Sequence, residues 1–184
     1  ELIEYYKGIF TILSSCAARQ LEEVTFRRNT IPVQELFDAA GKYFRKVTKN
    51  RTEKVELIIE PMDAKVIGDV NQLRFLFENL IDEALAVREE GVIRLQARKD
   101  NEYIRFLFTD TRREKSVEEL NQLFYPNLAR MTSGEKGELR GTEYLICKQI
   151  IRDHDEFAGR RGCRINAEPA EGGGFTVYFT IPRR

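Results

Sequence analysis

Asn79 and Glu83 stand four residues apart within the stretch Asn71 to Arg88, NQLRFLFENLIDEALAVR. In a helix that spacing sets one side chain a turn above the other. An amide and a carboxylate so placed beside a buried face can both be offered to a ligand at the edge of a sheet. They can equally be solvated flank residues, and types and spacing leave the two readings open. The one histidine, His154, is followed by Asp155, and a histidine near a helix end ordinarily caps the C-terminus. Cys16, Cys147 and Cys163 are odd in number and show no CxxC spacing. Neither a disulfide framework nor a zinc site is indicated, and a reducing compartment suits them.

The element that must position Asn79 and Glu83 is a helix. Leu73, Leu76, Phe77, Leu80, Ile81, Ala84 and Leu85 recur at three- and four-residue steps and make one apolar stripe. Asp69 can cap its start. Ahead of it, Val33 to Val47 forms a second amphipathic helix with Leu36, Phe37, Ala40, Tyr43, Phe44 and Val47 on one face. Lys54 to Glu60 then reads as a strand, Pro61 to Ala64 as a turn and Lys65 to Ile67 as a short strand. After Gly91 come two alternating strands at hairpin spacing, Val92 to Lys99 and Tyr103 to Thr109, and Asp110 stands where the second ends. A short helix near Val117 to Phe124 follows, within a polar segment from Arg112 to Arg140 that is expected to be a mobile lid. Thr142 to Asp153 is a third core helix, and Cys163 to Glu168 with Phe175 to Ile181 make a closing hairpin. Helices grouped against one mostly antiparallel sheet are an α+β two-layer sandwich.

Residues Leu2 to Arg27, with Ile9, Leu13, Cys16, Ala17, Leu21 and Val24 at helical spacing, read as one long helix that folds back on the domain or packs against a second helix or a second copy. The chain thus divides into a helix at residues 1–30 and a domain at residues 31–184. With 184 residues and 42% hydrophobic content it can bury a sizeable core. Thirty basic residues cancel thirty acidic ones, so the electrostatic footprint of a nucleic-acid-binding module is missing. No apolar run approaches the roughly 20 residues of a membrane span, and ELIEYYKG does not resemble a signal peptide. No direct membrane contact is expected. A start at Glu1 rather than Met fits a piece of a longer protein.

Four segments in order resemble the ATP-binding domain of sensor histidine kinases, which shares the Bergerat fold with the gyrase and MutL ATPases. GDVNQLRFLFENLIDEALAV resembles the N-box, with Asn79, Leu80 and Ile81 in place. FLFTDT resembles the strand that ends on the adenine-binding aspartate, a role that falls to Asp110. LNQLFYP resembles the F-box through Phe124 and Pro126. GTEYLICKQIIRDH followed by RINAEPAEGGGFTVYFTIP resembles the G2 box and closing hairpin, with Gly141, Lys148, His154 and Glu168 in register. The resemblance spans about Val33 to Pro182, and the helix before it resembles the second helix of the kinase dimerisation hairpin. It implies a Bergerat-type sandwich, a homodimer through the first helix, a response regulator as partner and a cytoplasmic setting. It also implies ATP and magnesium as ligands, with Asn79 and Glu83 at metal and phosphates, Asp110 on the adenine amino group and Gly141 in the lid hinge.

Departures from the pattern weigh on that function. The second N-box asparagine is Glu83, the Asp-x-Gly-x-Gly turn reads Asp110, Thr111, Arg112, Arg113, Glu114, and the second glycine before the third helix is Glu143. Glycines there let backbone approach phosphate and adopt positive φ. A carboxylate about 4 Å from a phosphate charge, at an effective dielectric near 20, costs about 4 kcal/mol, or about three decades in a dissociation constant. Glu83 alone is tolerable, since a carboxylate oxygen is a good magnesium ligand. His154 matches the histidine that ends the family's third helix rather than the phospho-acceptor, so the chain holds no catalytic residue of its own. Three functions compete: a degenerate, pseudokinase-type signalling and dimerisation module that binds ATP weakly or not at all and needs no cofactor; an active domain that phosphorylates a histidine outside this chain with ATP and magnesium; and an anti-sigma-type or chaperone-like ATPase of the same superfold. The four altered positions favour the first.

Overall fold

A computed structural model of the chain describes residue 3, residues 26–126 and residues 142–184. Of the expected first helix only Ile3, which is helical, and Phe26 and Arg27, which are not, are described; Cys16 and Gly141 lie outside the described residues, as does the lid beyond residue 126. Chain order is β1 (Asn29–Pro32), α1 (Val33–Thr48), β2 (Val55–Ile59), β3 (Lys65–Gly68), α2 (Val70–Leu85), β4 (Gly91–Asp100), β5 (Tyr103–Asp110), α3 (Val117–Asn121), α4 (Glu143–Phe157), β6 (Ile165–Pro169) and β7 (Phe175–Pro182). The main sheet runs β2-β4-β5-β7-β6. Only β2 and β4 pair in parallel; the other neighbours are antiparallel. This is the α+β two-layer architecture the periodicities predict, helices on a five-stranded sheet.

Alternation selects the buried face. Along β5, Ile104, Phe106, Phe108 and Asp110 are buried while their neighbours are half-exposed, so the two-residue period of the strand carries Asp110 onto the core side. Against that face α1 buries Val33, Leu36, Phe37, Ala40 and Phe44, and α2 buries the apolar stripe read from its sequence. Phe37, Phe77, Phe106 and Phe179 join α1, α2, β5 and β7. Phe37 meets Phe77 and Phe106 edge-on at 6.3 and 6.0 Å, and Phe106 stacks on Phe179 at 4.9 Å, geometries that add to plain area burial.

Several boundaries differ from the sequence reading. Asn29 to Pro32, to which the sequence reading assigns no strand, is an edge strand paired antiparallel with β3; its partner lies some thirty-five residues on, beyond the reach of local propensity. The central helix stops at Leu85 rather than Arg88, because Arg51 Nη1 and Nη2 donate to the carbonyls of Leu85 and Val87 at 2.6 and 2.5 Å. α3 ends at Asn121, after a capping box in which Ser116 and Glu119 satisfy each other's backbone. Among the described residues no helix is long and apolar enough to cross a membrane.

Candidate functional site

α2 is the floor of the candidate site, and its start is fixed by Asp69. The Asp69 carboxylate accepts from the backbone N–H groups of Asn71 and Gln72 through Oδ1 and from Arg27 through Oδ2. Its own N–H donates to His154 Nε2 at 3.1 Å, and His154 Nδ1–H donates to the Ile150 carbonyl at 2.8 Å. Burial lowers the His154 pKa from 6.5 to about 4, so the ring is neutral. The expected capping role changes accordingly: His154 brings a polar crosslink between α4 and α2 rather than a cation at a helix end. Gly68 makes room for it, since a Cβ there would lie 2.8 Å from Nε2.

Asn79 and Glu83 occupy successive turns of α2, as their spacing predicts. Asn79 is only 5% exposed, and its Nδ2 donates to the Phe75 carbonyl of its own helix at 2.8 Å. Glu83 is half-buried. No group of three or more His, Cys, Asp or Glu side chains able to hold a metal is present among the described residues. Glu143 opens α4 in its first turn, where a carboxylate suits the helix dipole. It lies near enough to α2 to act on Asp82, whose pKa rises chiefly through burial and further through Glu143, against a lowering by the Tyr43 hydrogen bond. Phe124, on the far side of α3, packs edge-on against Tyr144 at 5.7 Å.

Asp110 ends β5, where the sequence reading puts it, and is held in a clasp that the sequence reading does not foresee. Its Oδ1 accepts from the Arg112 backbone N–H and Nε at 3.0 and 2.9 Å, and its Oδ2 accepts from Arg112 Nη2 at 2.9 Å. The remaining guanidinium hydrogens go to backbone carbonyls at the end of α2 and beyond it: Nη2 to Ala84 at 2.5 Å, Nη1 to Glu89 at 3.0 Å and to Val87 at 3.5 Å. Five N–H donors thus find five acceptors. That full complement explains how the ion pair tolerates burial, with side-chain exposures of 0% for Arg112 and 2% for Asp110. The sequence marks Arg112 only as a missing glycine at the start of an expected mobile segment. The structure pins it. The available signal is an arginine two residues beyond a carboxylate that ends a strand.

Two glycines build this clasp. Gly91 has φ 140°, and a Cβ on it would meet Arg112 Cγ at 2.7 Å, so the arginine stem runs through space that only glycine leaves. Gly174 has φ 84°, and a Cβ there would lie 2.1 Å from the Asp110 carbonyl, which seats the β6–β7 turn against the end of β5. Thr111 N–H and Oγ1 both donate to the Val92 carbonyl, at 3.1 and 2.6 Å.

Helices on one face of a five-stranded sheet, with an aspartate-capped central helix and a buried carboxylate closing a central strand, define a two-layer α+β domain. The chain belongs to the family of histidine kinase-, DNA gyrase B- and HSP90-like ATPases, whose model matches residues 68–184. It is 24% identical over 163 residues to the signal transduction histidine-protein kinase BaeS of Escherichia coli strain K12, covering 86% of this chain and 33% of that protein; the chain therefore spans about a third of the relative's length. Among solved structures it is similar to the nucleotide-free catalytic domain of histidine kinase ThkA, with a TM-score of 0.66 and 20% identity over 85% of this chain and 97% of that one. Similarity extends to ThkA in complex with the response regulator protein TrrA (TM-score 0.68, 20% identity, 98% of this chain and 48% of that one). The mycobacterial sensor histidine kinase MprB also matches, with a TM-score of 0.63 and 18% identity over 86% of this chain and 99% of that one. It thus belongs to that ATPase family and shares the fold of histidine kinase catalytic domains.

Proposed function

We propose that this chain is a pseudokinase-type signalling module: a histidine-kinase ATPase domain whose base-binding position is closed and which binds ATP weakly or not at all. The observation that carries this reading is the Asp110 carboxylate, whose two oxygens are both spent on Arg112 in a pair with almost no exposed surface. With three hydrogen bonds already made to it and almost no exposed surface, that carboxylate is shielded from an incoming adenine. The rest of the site fits ATP and magnesium no better. Asn79 is turned into its own helix, and Glu83 and Glu143 bring negative charge to the side where phosphates would lie. These residues lend themselves to no phosphoryl-transfer step.

In this reading the domain acts through its surfaces, as a homodimer formed through the first helix and as a cytoplasmic partner of a response regulator; the complex of ThkA with TrrA supports that choice of partner. Asn79, Glu83, Asp110 and Gly141 are then the relics of the nucleotide site. The competing reading is an active domain that passes a phosphoryl group from ATP–magnesium to a histidine outside this chain. Family membership and the retained Asn79 and Asp110 favour it. Titration of the chain with a fluorescent ATP analogue, with and without magnesium, separates the two. The closed-site reading predicts no saturation below millimolar nucleotide, and micromolar, magnesium-dependent binding contradicts it.

A further inference from the structure

We propose that Arg112 is the specificity-determining residue of this site: its guanidinium stands in for a ligand's N–H edge on Asp110, and its removal uncovers a latent pocket for an amino-bearing purine. The inference rests on the reading of Asp110 as the base-facing carboxylate, and it adds that the obstacle is one side chain rather than the altered loop or the surrounding charge.

Chemistry supports the substitution of one group for the other. A guanidinium is flat and presents N–H donors in its plane, as the edge of an aminopurine does, and Asp110 accepts it in the two-oxygen fashion typical of such pairs. The arginine is built in rather than lodged by chance. Gly91 leaves the path for its stem, the Arg112 N–H fixes the backbone to the same carboxylate, and three carbonyls from residues 84–89 take up its other hydrogens. Removing the side chain therefore has two linked consequences. It leaves the buried carboxylate with only the backbone N–H of residue 112, and it leaves those carbonyls, one in the last turn of α2 and two just beyond it, without this donor. A flat ligand that donates to Asp110 repairs the first loss, so binding and stability rise together in the variant and in no other background.

Adenosine is the probe of choice because it carries no phosphate, which removes Glu83 and Glu143 from the comparison. The measurement is thermal melting of the unmodified chain, Arg112→Gly, and Arg112→Gly combined with Asp110→Ala, each with adenosine and with purine riboside, which lacks the amino group. Arg112→Gly is expected to melt below the unmodified chain and to recover stability with millimolar adenosine but not with purine riboside. The unmodified chain and the double variant are expected to respond to neither. Should Arg112→Gly not fold, Arg112→Ala, which likewise removes every side-chain donor, carries the same comparison. A folded variant that ignores adenosine overturns the inference while leaving the closed-site reading intact. Adenosine binding by the unmodified chain overturns both, and an equal response to purine riboside overturns recognition through Asp110.

Discussion

His154 is fully buried and neutral, and its environment makes it a stability switch rather than a reactant. Its folded pKa is about 4 against 6.5 for the free side chain. Above pH 6.5 neither state carries the extra proton and the full stability is present. As pH falls from 6.5 toward 4, the unfolded chain takes up a proton that the folded one refuses, so stability drops; below about 4 this contribution flattens. The whole excursion is on the order of 3 kcal/mol. Urea unfolding at pH 7 and pH 5 should therefore show a loss that His154→Gln largely removes, and an equal pH dependence in that variant would refute the assignment. Phe26 lies edge-on to the same ring at 4.8 Å, so the chain just ahead of β1 shares the effect. At this scale Asn79, Glu83 and Asp110 are legible in the sequence by position but not by state. No spacing rule says that an amide folds back on its own helix, or that an arginine standing at a glycine position claims the carboxylate two residues before it.

α2 is held at both ends by side chains from elsewhere. At its start, Asp69 divides its oxygens: Oδ1 caps the helix and Oδ2 accepts the Arg27 N–H. Asp69→Ala removes both and is expected to cost about 2 kcal/mol, a cap of about 1 kcal/mol together with a stranded backbone donor. Asp69→Asn keeps one oxygen and should cost less. Hydrogen exchange tests the division directly: in Asp69→Asn the Asn71 and Gln72 amides should stay protected while Arg27 exchanges faster. Protection of Arg27 unchanged in both variants would refute it. At the other end Arg51 and Arg112 satisfy carbonyls from residues 84–89, which is why the helix ends short of Arg88. The body of α2, its aspartate cap and the alternation of β4 and β5 are readable because local periodicity encodes them. Its C-terminal end and the pairing of β1 with β3 are not, since both depend on residues far off in sequence.

Across the whole molecule, the sheet order brings β5 to the centre with its last buried position, Asp110, at the edge where α2 ends and the β6–β7 turn arrives. In the closed-site reading proposed above that edge would face the nucleotide, and the chain supplies the contact to Asp110 from its own Arg112, at the junction of helix layer and sheet. The fold class follows from element order, and the altered glycines mark the stretch after Asp110; the Arg112 clasp becomes visible only once the strand places Asp110 inward and Gly91 opens a path beside it. The Arg112 Nε–H resonance in the nitrogen-labelled chain reports on that closure at the atom concerned. A hydrogen bonded to Asp110 and shielded from solvent should exchange slowly and keep its chemical shift when millimolar ATP and magnesium are added. An Arg112 Nε–H that exchanges as fast as a surface arginine, or that is displaced by micromolar ATP, would show that the base-binding position is open.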